Sequence, residues 1–180
     1  MNTYEKILYY FLLFIVTPII TRLIIVACKK DKADIIDKCR KTKPKEMSLI
    51  SACKSGDFDE AKSLIEEGAN VNFKFPYDKK TPLIFACENS HYDIVKLLIE
   101  KGANVNNTYN IPFNRDANNL FGDNFTALMT ICRMRNLEIA KLLLENGAKV
   151  NLKNSNGRTA LSMTYKPELV ELLKSYGAKE

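Results

Sequence analysis

The chain has 180 residues, a formal net charge of +6 and five cysteines, a size that favours one domain with an appended segment. Most of the positive charge lies in residues 29–46, which hold eight Lys/Arg and four Asp/Glu, whereas residues 47–180 hold 17 basic and 16 acidic residues. This distribution disfavours a nucleic-acid-binding protein. The odd cysteine count, the absence of a CxxC pair and the single histidine, His91, disfavour a disulfide framework and a metal site.

The first predicted element is an apolar stretch, "ILYYFLLFIVTPIITRLIIVAC", at residues 7–28. As a helix it would be roughly 33 Å long, enough to cross a hydrocarbon core of about 30 Å. Residues 1–28 are therefore predicted to form an uncleaved transmembrane helix. One alternative is a buried helix of a soluble protein. The other is a lipoprotein signal, because "IVAC" at residues 25–28 resembles a lipobox ending at Cys28. Arg22 inside the apolar stretch and the weakly basic start of the chain disfavour that alternative.

Residues 29–46, "KKDKADIIDKCRKTKPKE", are predicted to be a basic juxtamembrane linker. Lys and Arg that flank a membrane span favour the cytoplasmic side. Unpaired cysteines are also typical of that reducing compartment. The sequence thus predicts a single-pass membrane protein whose C-terminal domain is cytoplasmic and whose linker lies near anionic lipid headgroups.

A five-residue pattern recurs along residues 47–180. It reads "GANVN" at 68–72 and 102–106 and "GAKVN" at 147–151, and "GAK" stands at 177–179. Four units aligned on this pattern begin 34, 45 and 33 residues apart. A period of this length predicts a solenoid in which each unit buries its apolar face against its neighbours. The units span residues 47–80, 81–125, 126–158 and a truncated 159–180.

With "TPLIFAC" at residues 81–87 and the repeated "GANVN", these units resemble ankyrin repeats, whose pattern includes "TPLHxAA" and "GADVN". The resemblance covers residues 47–180 and implies an all-α solenoid of helix-turn-helix units with projecting hairpin loops. It further implies protein binding without catalysis, cofactor, metal or small-molecule substrate. One departure is that the family's His, which normally bonds the Thr hydroxyl, is replaced in all four units, by Ile50, Ile84, Met129 and Ser162.

Helix pairs are predicted at residues 48–66, 82–100, 127–145 and 160–176. Thr81 is expected to cap a first helix, with Pro82 at its first position, and the Gly of each repeated pattern is expected to end a second helix. One column of the alignment holds a cysteine in three units. These thiols are predicted to be buried and unbonded to one another, because stacked helices lie about 8–10 Å apart. The column consists of Cys53, Cys87 and Cys132.

Two irregular loops are the candidate binding site. Residues 73–80, "FKFPYDKK", are rich in aromatics, and the insertion 107–125 is longer than a plain connection. Aromatics at rigid loop tips are plausible binding hot spots. Two alternatives remain: the aromatics pack on neighbouring loops, or the insertion has no dedicated partner. The predicted anchors are Phe73, Phe75, Tyr77, Phe113 and Phe121.

If these aromatics belong to the local core, the sequence places the interface on the exposed side of the first helices, around Lys54, Glu88 and Arg133. The predicted function is that of a non-catalytic protein-interaction module tethered to a membrane through residues 7–28 and 29–46. The alternative is a secreted or periplasmic lipoprotein carrying the same binding domain. No nucleic-acid partner is expected.

Overall fold

The computed structural model describes residues 44–111 and 123–179, which fold into successive helix pairs. The first helices of the pairs are α1 (Pro44–Ser55), α3 (Pro82–Glu88), α5 (Ala127–Met134) and a short 3-10 helix (Leu161–Met163). The second helices are α2 (Phe58–Glu66), α4 (Tyr92–Glu100), α6 (Leu137–Glu145) and α7 (Pro167–Ser175). First helices pack on first helices and second helices on second helices from one pair to the next. The predicted helix pairs are confirmed to within a few residues.

Two boundaries differ from the sequence-based expectation. Helix α1 begins at Pro44, before the predicted start of the first unit at residue 47. In the last unit the first helix is reduced to the 3-10 turn. Pro167 opens α7 and disfavours helical backbone at Lys166, which is extended with ψ of 119°. The shortened fourth unit therefore leaves space for a single turn before its second helix.

A minimal sheet closes the base of the insertion. Strand β1 (Thr108–Tyr109) pairs antiparallel with β2 (Phe125–Thr126), with Thr108 opposite Thr126 and Tyr109 opposite Phe125. Asn124 adopts φ of 61°, as expected of an Asn in a position that requires the left-handed conformation. This pairing brings the two ends of the insertion together at the start of α5.

The N-caps of the first helices agree only in part with those predicted from the sequence. Thr126 accepts a hydrogen bond from the Met129 N–H at 3.2 Å, as a capping residue should. Thr81 is the N-cap residue of α3 and Pro82 lies in its first turn, as predicted, but the Thr81 hydroxyl makes no cap bond. That hydroxyl is buried and has no hydrogen-bond partner among the described residues. Ile84, which replaces the expected His, offers no polar atom that could bond it.

The cysteine column is confirmed. Cys53, Cys87 and Cys132 are buried and unbonded to one another. Burial raises the pKa of the Cys53 and Cys132 thiols to about 12. Burial also raises the pKa of Cys87, with a smaller contribution from Glu88. These thiols are therefore protonated core groups near neutral pH and unreactive as nucleophiles.

His91 connects the first two units. It precedes α4, and its Nε2 lies 3.1 Å from the Lys54 carbonyl oxygen near the end of α1. A carbonyl oxygen only accepts, so Nε2 is the donor. A Cβ on Gly56 would lie 2.5 Å from the His91 ring, and Gly56 has φ of +83°. Glycine therefore admits both the turn after α1 and the close approach of the imidazole.

The recurring "GANVN" pattern carries a hydrogen-bonded clamp between units. The Asn72 Nδ2 donates to the Gly102 carbonyl at 2.9 Å, and its Oδ1 accepts from the Asn104 N–H at 2.7 Å. Asn106 makes the same two bonds to Gly147 and Lys149, at 3.0 and 2.8 Å. Asn151 repeats them with Gly177 and Lys179, both at 2.9 Å. The last Asn of each pattern thus holds the same pattern of the following unit.

The apolar stretch at residues 7–28 and the linker 29–43 lie outside the described residues. Within residues 44–111 and 123–179, no helix has the length and apolarity that a membrane crossing requires. The predicted transmembrane helix therefore stays a prediction.

The first testable prediction concerns the clamp. Substitution of Asn106 by Ala removes two inter-unit hydrogen bonds, and each such bond contributes about 0.5–1.5 kcal/mol. We expect the free energy of unfolding to fall by about 1–3 kcal/mol, measured by urea denaturation. Asn104→Ala is the matched control, since among the described residues the Asn104 side chain bonds only the nearby Asn106 N–H. An equal loss in both variants would contradict a clamp between units.

Candidate partner-binding face

The exposed side of the first helices forms a continuous face built from three equivalent positions. Lys54, Glu88 and Arg133 each follow a buried cysteine of the column, so stacked helices present them on the same side. We call this surface the first-helix face and define it by these three residues together with Lys80. Lys54 and Arg133 are exposed, whereas Glu88 is partly buried.

Cations and aromatic rings alternate along this face. The Lys54 Nζ lies 4.6 Å from the centroid of the Phe85 ring, and the Lys80 Nζ lies 5.5 Å from the same centroid. Lys80 is also 5.2 Å from the Tyr109 ring centroid. The guanidinium carbon of Arg133 is 5.9 Å from the Phe125 ring centroid. Contacts of this kind stabilise a cation at a defined position over the ring face.

The three rings are themselves part of the core. Phe85, Tyr109 and Phe125 are each at most 5% exposed. Tyr109 and Phe125 meet edge to face with centroids 6.0 Å apart. The Tyr109 hydroxyl lies 2.9 Å from the Thr130 hydroxyl on α5, and burial raises the pKa of Tyr109 to about 12. Each of these cations therefore lies over an aromatic ring that is fixed in the hydrophobic core.

Lys80 links the loop 73–80 to this face by ion pairs. Its Nζ lies 2.8 Å from one Glu88 carboxylate oxygen and 2.9 Å from the other. The Asp78 carboxylate is 3.6 Å away and nearly buried. The Lys80 side chain is only 15% exposed, so solvent screens these pairs less than it screens surface pairs. Lys80 thus pairs with two carboxylates, that of Glu88 on α3 and that of Asp78 in its own loop.

The loops connect to one another along the stack. The Asn110 N–H donates to the Asp78 carbonyl at 2.8 Å, which joins the loop 73–80 to the start of the insertion. Asp123 and Ser155 exchange two bonds of 2.7 and 2.9 Å, which join the end of the insertion to the loop 152–158. At its described ends the insertion therefore lies beside both neighbouring loops, as the repeat architecture predicts.

The predicted loop aromatics occupy different environments. Phe73 and Phe75 are half-buried and pack against the hydrophobic core. The Phe75 ring meets the Phe85 ring edge to face, with centroids 6.2 Å apart. Tyr77 is 52% exposed. Phe113 and Phe121 lie outside the described residues. The expectation that Phe75 projects as a free loop tip thus differs from its packing, whereas Tyr77 does project.

The aligned sequence predicted Lys54, Glu88 and Arg133 on the face but did not indicate Lys80 or Phe85 there. One signal was present for Phe85. In the aligned column it replaces Ser51 and Thr130, so a single large ring stands among small hydroxyl residues. No pattern in the sequence indicated Lys80, because its contacts arise only when the loop 73–80 meets α3 and the start of the insertion.

Nothing in the described geometry assembles a chemical centre. Within residues 44–111 and 123–179 no three His, Cys, Asp or Glu side chains are grouped to hold a metal ion. The column thiols are protonated, and the His91 ring is bonded to a backbone carbonyl.

The family described as "Ankyrin repeats (3 copies)" matches residues 17–109 and 109–179. The match includes all of the described residues and begins upstream of them. Ankyrin repeats are generally protein–protein interaction modules and are typically non-enzymatic. A search of curated proteins finds no match to this chain.

The second prediction separates packing from projection in the loop 73–80. Phe75→Ala removes an edge-to-face contact with the buried Phe85, so we expect the free energy of unfolding to fall by about 1–3 kcal/mol. Tyr77→Ala, in the same loop, should leave the thermal unfolding midpoint nearly unchanged because Tyr77 is exposed. Circular dichroism melting of both variants measures the difference. Equal midpoints would show that Phe75 contributes no packing energy.

Proposed function

This chain belongs to the ankyrin-repeat family, and we propose that it binds a protein partner through the first-helix face without catalysing a reaction. The observation that carries the proposal is the line of Lys54, Lys80 and Arg133 over the buried rings of Phe85, Tyr109 and Phe125. Lys54 and Arg133 are exposed on helices, where charged groups provide binding energy at a low cost in conformational entropy, and Lys80 is held between them by its ion pairs.

The loop tips extend this face. Tyr77 is exposed at the tip of the loop 73–80, and tyrosine is enriched among the residues that dominate binding energy at protein interfaces. Phe113 and Phe121 stay candidate anchors on the insertion. Phe73 and Phe75 pack against the hydrophobic core and hold the loop in place. Their contribution to binding is therefore expected to be indirect. The proposed surface therefore runs from Lys54 to the tips of the loops.

We further propose that the module is tethered to a membrane through residues 7–28, with the basic segment 29–46 on the cytoplasmic side. Support comes from the length and apolarity of the stretch and from the eight basic residues that follow it. The second candidate is a secreted or periplasmic lipoprotein with the same binding domain, which the "IVAC" sequence at residues 25–28 favours. Both candidates keep the same interaction face.

The third prediction tests the face. In cells that express the tagged full-length chain, the double variant Lys54→Glu/Arg133→Glu should lose proteins that co-purify with the wild type. Reversal of both charges replaces attraction with repulsion at the two ends of the face. The matched control Lys62→Glu/Lys96→Glu makes the same charge change on α2 and α4, where both lysines are exposed. Quantitative mass spectrometry compares the captured proteins, and circular dichroism verifies folding of each variant.

Two outcomes of the capture experiment would contradict the proposed face. If proteins lost from the control variant are retained by the Lys54→Glu/Arg133→Glu variant, the partner binds the second helices and the proposed face is wrong. If both variants capture the same proteins as the wild type, neither helix layer carries the interaction.

The fourth prediction tests the tether. Mass spectrometry of the mature protein should find its N-terminus upstream of residue 7. After alkaline extraction of membranes, the chain should remain in the membrane pellet. An integral span resists such extraction because its apolar residues lie in the bilayer core. A mature chain that begins at a lipidated Cys28 would reject the uncleaved anchor and establish the lipoprotein. Recovery of the intact chain in the soluble alkaline extract would reject both the transmembrane anchor and the lipoprotein.

A further inference from the structure

The second helices leave an open cleft between α2 and α4. One wall is the Phe58 ring at the start of α2, which is 39% exposed, and the other is a stripe along α4. The stripe consists of Asp93, Lys96, Leu97 and Glu100, which lie at the i, i+3, i+4 and i+7 positions of one helix face. We call this site the second-helix cleft. Seven residues of helix make it roughly 10 Å long.

The cleft recurs one unit further along the stack. Between α4 and α6 the Tyr92 ring, also 39% exposed, takes the place of Phe58. The stripe of α6 has the same chemistry at the equivalent positions, which are Glu138, Lys141, Leu142 and Glu145. The two clefts, of about 300 and 420 Å³, thus each present an aromatic ring, a leucine, two carboxylates and one lysine.

Helix stability accounts for only one of the two carboxylates in the second-helix cleft. Asp93 lies in the first turn of α4, where the helix dipole favours a negative charge. Glu100 is the last residue of α4, where the dipole opposes one. Glu66 ends α2 and Glu145 ends α6 in the same way, and none of these three helices has a basic residue in its last turn. The second carboxylate is therefore free to serve a contact outside the helix.

The charged groups of the second-helix cleft are accessible to a partner. Asp93, Lys96 and Glu100 are exposed, and within residues 44–111 and 123–179 none of them forms an ion pair. Two nearby lysines, Lys62 on α2 and Lys101 after α4, are exposed but do not contribute to the described lining of the cleft. Two unpaired carboxylates therefore face one ammonium, and the cleft favours a cationic partner.

We propose that the second-helix cleft binds a basic amphipathic helix of a partner protein, a contact beyond the one proposed for the first-helix face. A helix laid along α4 presents side chains on the same face every seven residues, the spacing that separates Asp93 from Glu100. Two Arg or Lys residues seven apart pair with these carboxylates. An apolar residue between them contacts Phe58 and Leu97, as in other complexes of a helix in a groove.

A second copy of this chain is a poorer fit to the cleft. Two-fold related copies that packed α4 against α4 would place like charges together. Asp93 would oppose Glu100 in an antiparallel pair and a second Asp93 in a parallel pair. Like-charge contacts of this kind disfavour the wrong partner. Charge complementarity therefore favours a different, basic protein.

The test uses the full chain in neutral detergent micelles and a fluorescein-labelled, alanine-rich peptide of about 20 residues, long enough to form a helix. The peptide carries one stripe, Arg-x-x-Leu-x-x-x-Arg. A control peptide of the same composition has its two arginines on opposite faces of the helix. Fluorescence anisotropy, with protein-free micelles as background, should show the stripe peptide binding about two- to fivefold more tightly, because the control peptide can pair with only one carboxylate.

Variants of α4 locate the binding site. Asp93→Asn/Glu100→Gln should weaken binding of the stripe peptide about four- to twentyfold, since each exposed ion pair accounts for about two- to fivefold. The matched control Glu168→Gln/Glu171→Gln removes two exposed carboxylates from α7. It should leave binding unchanged, because α7 lies two units away and salt screens charges beyond about 10 Å.

The neighbouring cleft provides a second comparison. Lys141 lies 3.8 Å from Glu145 and already pairs with it, whereas Lys96 has no such pair within the described part of the chain. Glu138→Gln/Glu145→Gln should therefore weaken the stripe peptide less than the α4 variant does. A larger loss would place the helix between α4 and α6 and overturn the inference.

Lys96→Gln gives the most discriminating result. It removes the ammonium that stands between the two carboxylates, so the stripe peptide should bind about two- to fivefold more tightly. A cleft that takes an acidic helix would instead lose affinity with this change. Thermal melting of each variant separates a loss of folding from a loss of binding. Unchanged or weaker binding of the stripe peptide by Lys96→Gln would overturn the inference.

Three further outcomes would also overturn it. They are equal binding of the two peptides, an equal loss in the α4 and α7 variants, and self-association of the chain, by light scattering, that the stripe peptide disrupts. The inference is independent of the first-helix face. Lys54→Glu/Arg133→Glu should bind the stripe peptide as the wild type does, so rejection of either surface leaves the other to be judged by its own experiment.

Discussion

The structure depends on the side chain of one asparagine in each repeated pattern. Asn72, Asn106 and Asn151 each donate to the Gly carbonyl of the next unit and accept from the N–H two residues further on. An apolar interface alone would allow neighbouring units to slide, because hydrophobic burial has no direction. Two bonds from one planar amide fix the register between units. The last Asn of each repeated pattern therefore sets how neighbouring units are placed in the stack.

A fixed register gives each column of the alignment one environment. The position held by Cys53, Cys87 and Cys132 is buried in every unit, and the next position is turned toward the outside of the first helix. Lys54, Glu88 and Arg133 are brought into line in this way although 34 and 45 residues separate them in the chain. The long insertion does not disturb the line, because β1 and β2 close its base. The alignment of the first-helix face is thus a consequence of the fixed register.

The loop aromatics have two roles that their composition does not distinguish. Phe75 packs on Phe85 and belongs to the support of the face, whereas Tyr77, two residues further on, is exposed. Lys80, at the end of the same loop, is drawn inward by Glu88, Asp78 and two rings. The loop 73–80 therefore connects the first-helix face to the loop tips. Its contacts hold the Lys80 ammonium at a defined position near the Phe85 and Tyr109 rings.

The sequence by itself determined the repeat period, the helix pairs, the buried cysteine column and the position of Lys54, Glu88 and Arg133 on one side. Each of these follows from periodicity and local backbone preferences, which short segments carry in full. The tertiary structure alone decided that the Thr81 hydroxyl has no partner among the described residues, that Phe75 is packed and that Lys80 pairs with Glu88 and Asp78. These features depend on how the loop 73–80 folds back onto the helix that follows it, which brings together side chains that are several residues apart in the chain. The conformation of that loop sets their distances, and the repeat pattern does not encode it.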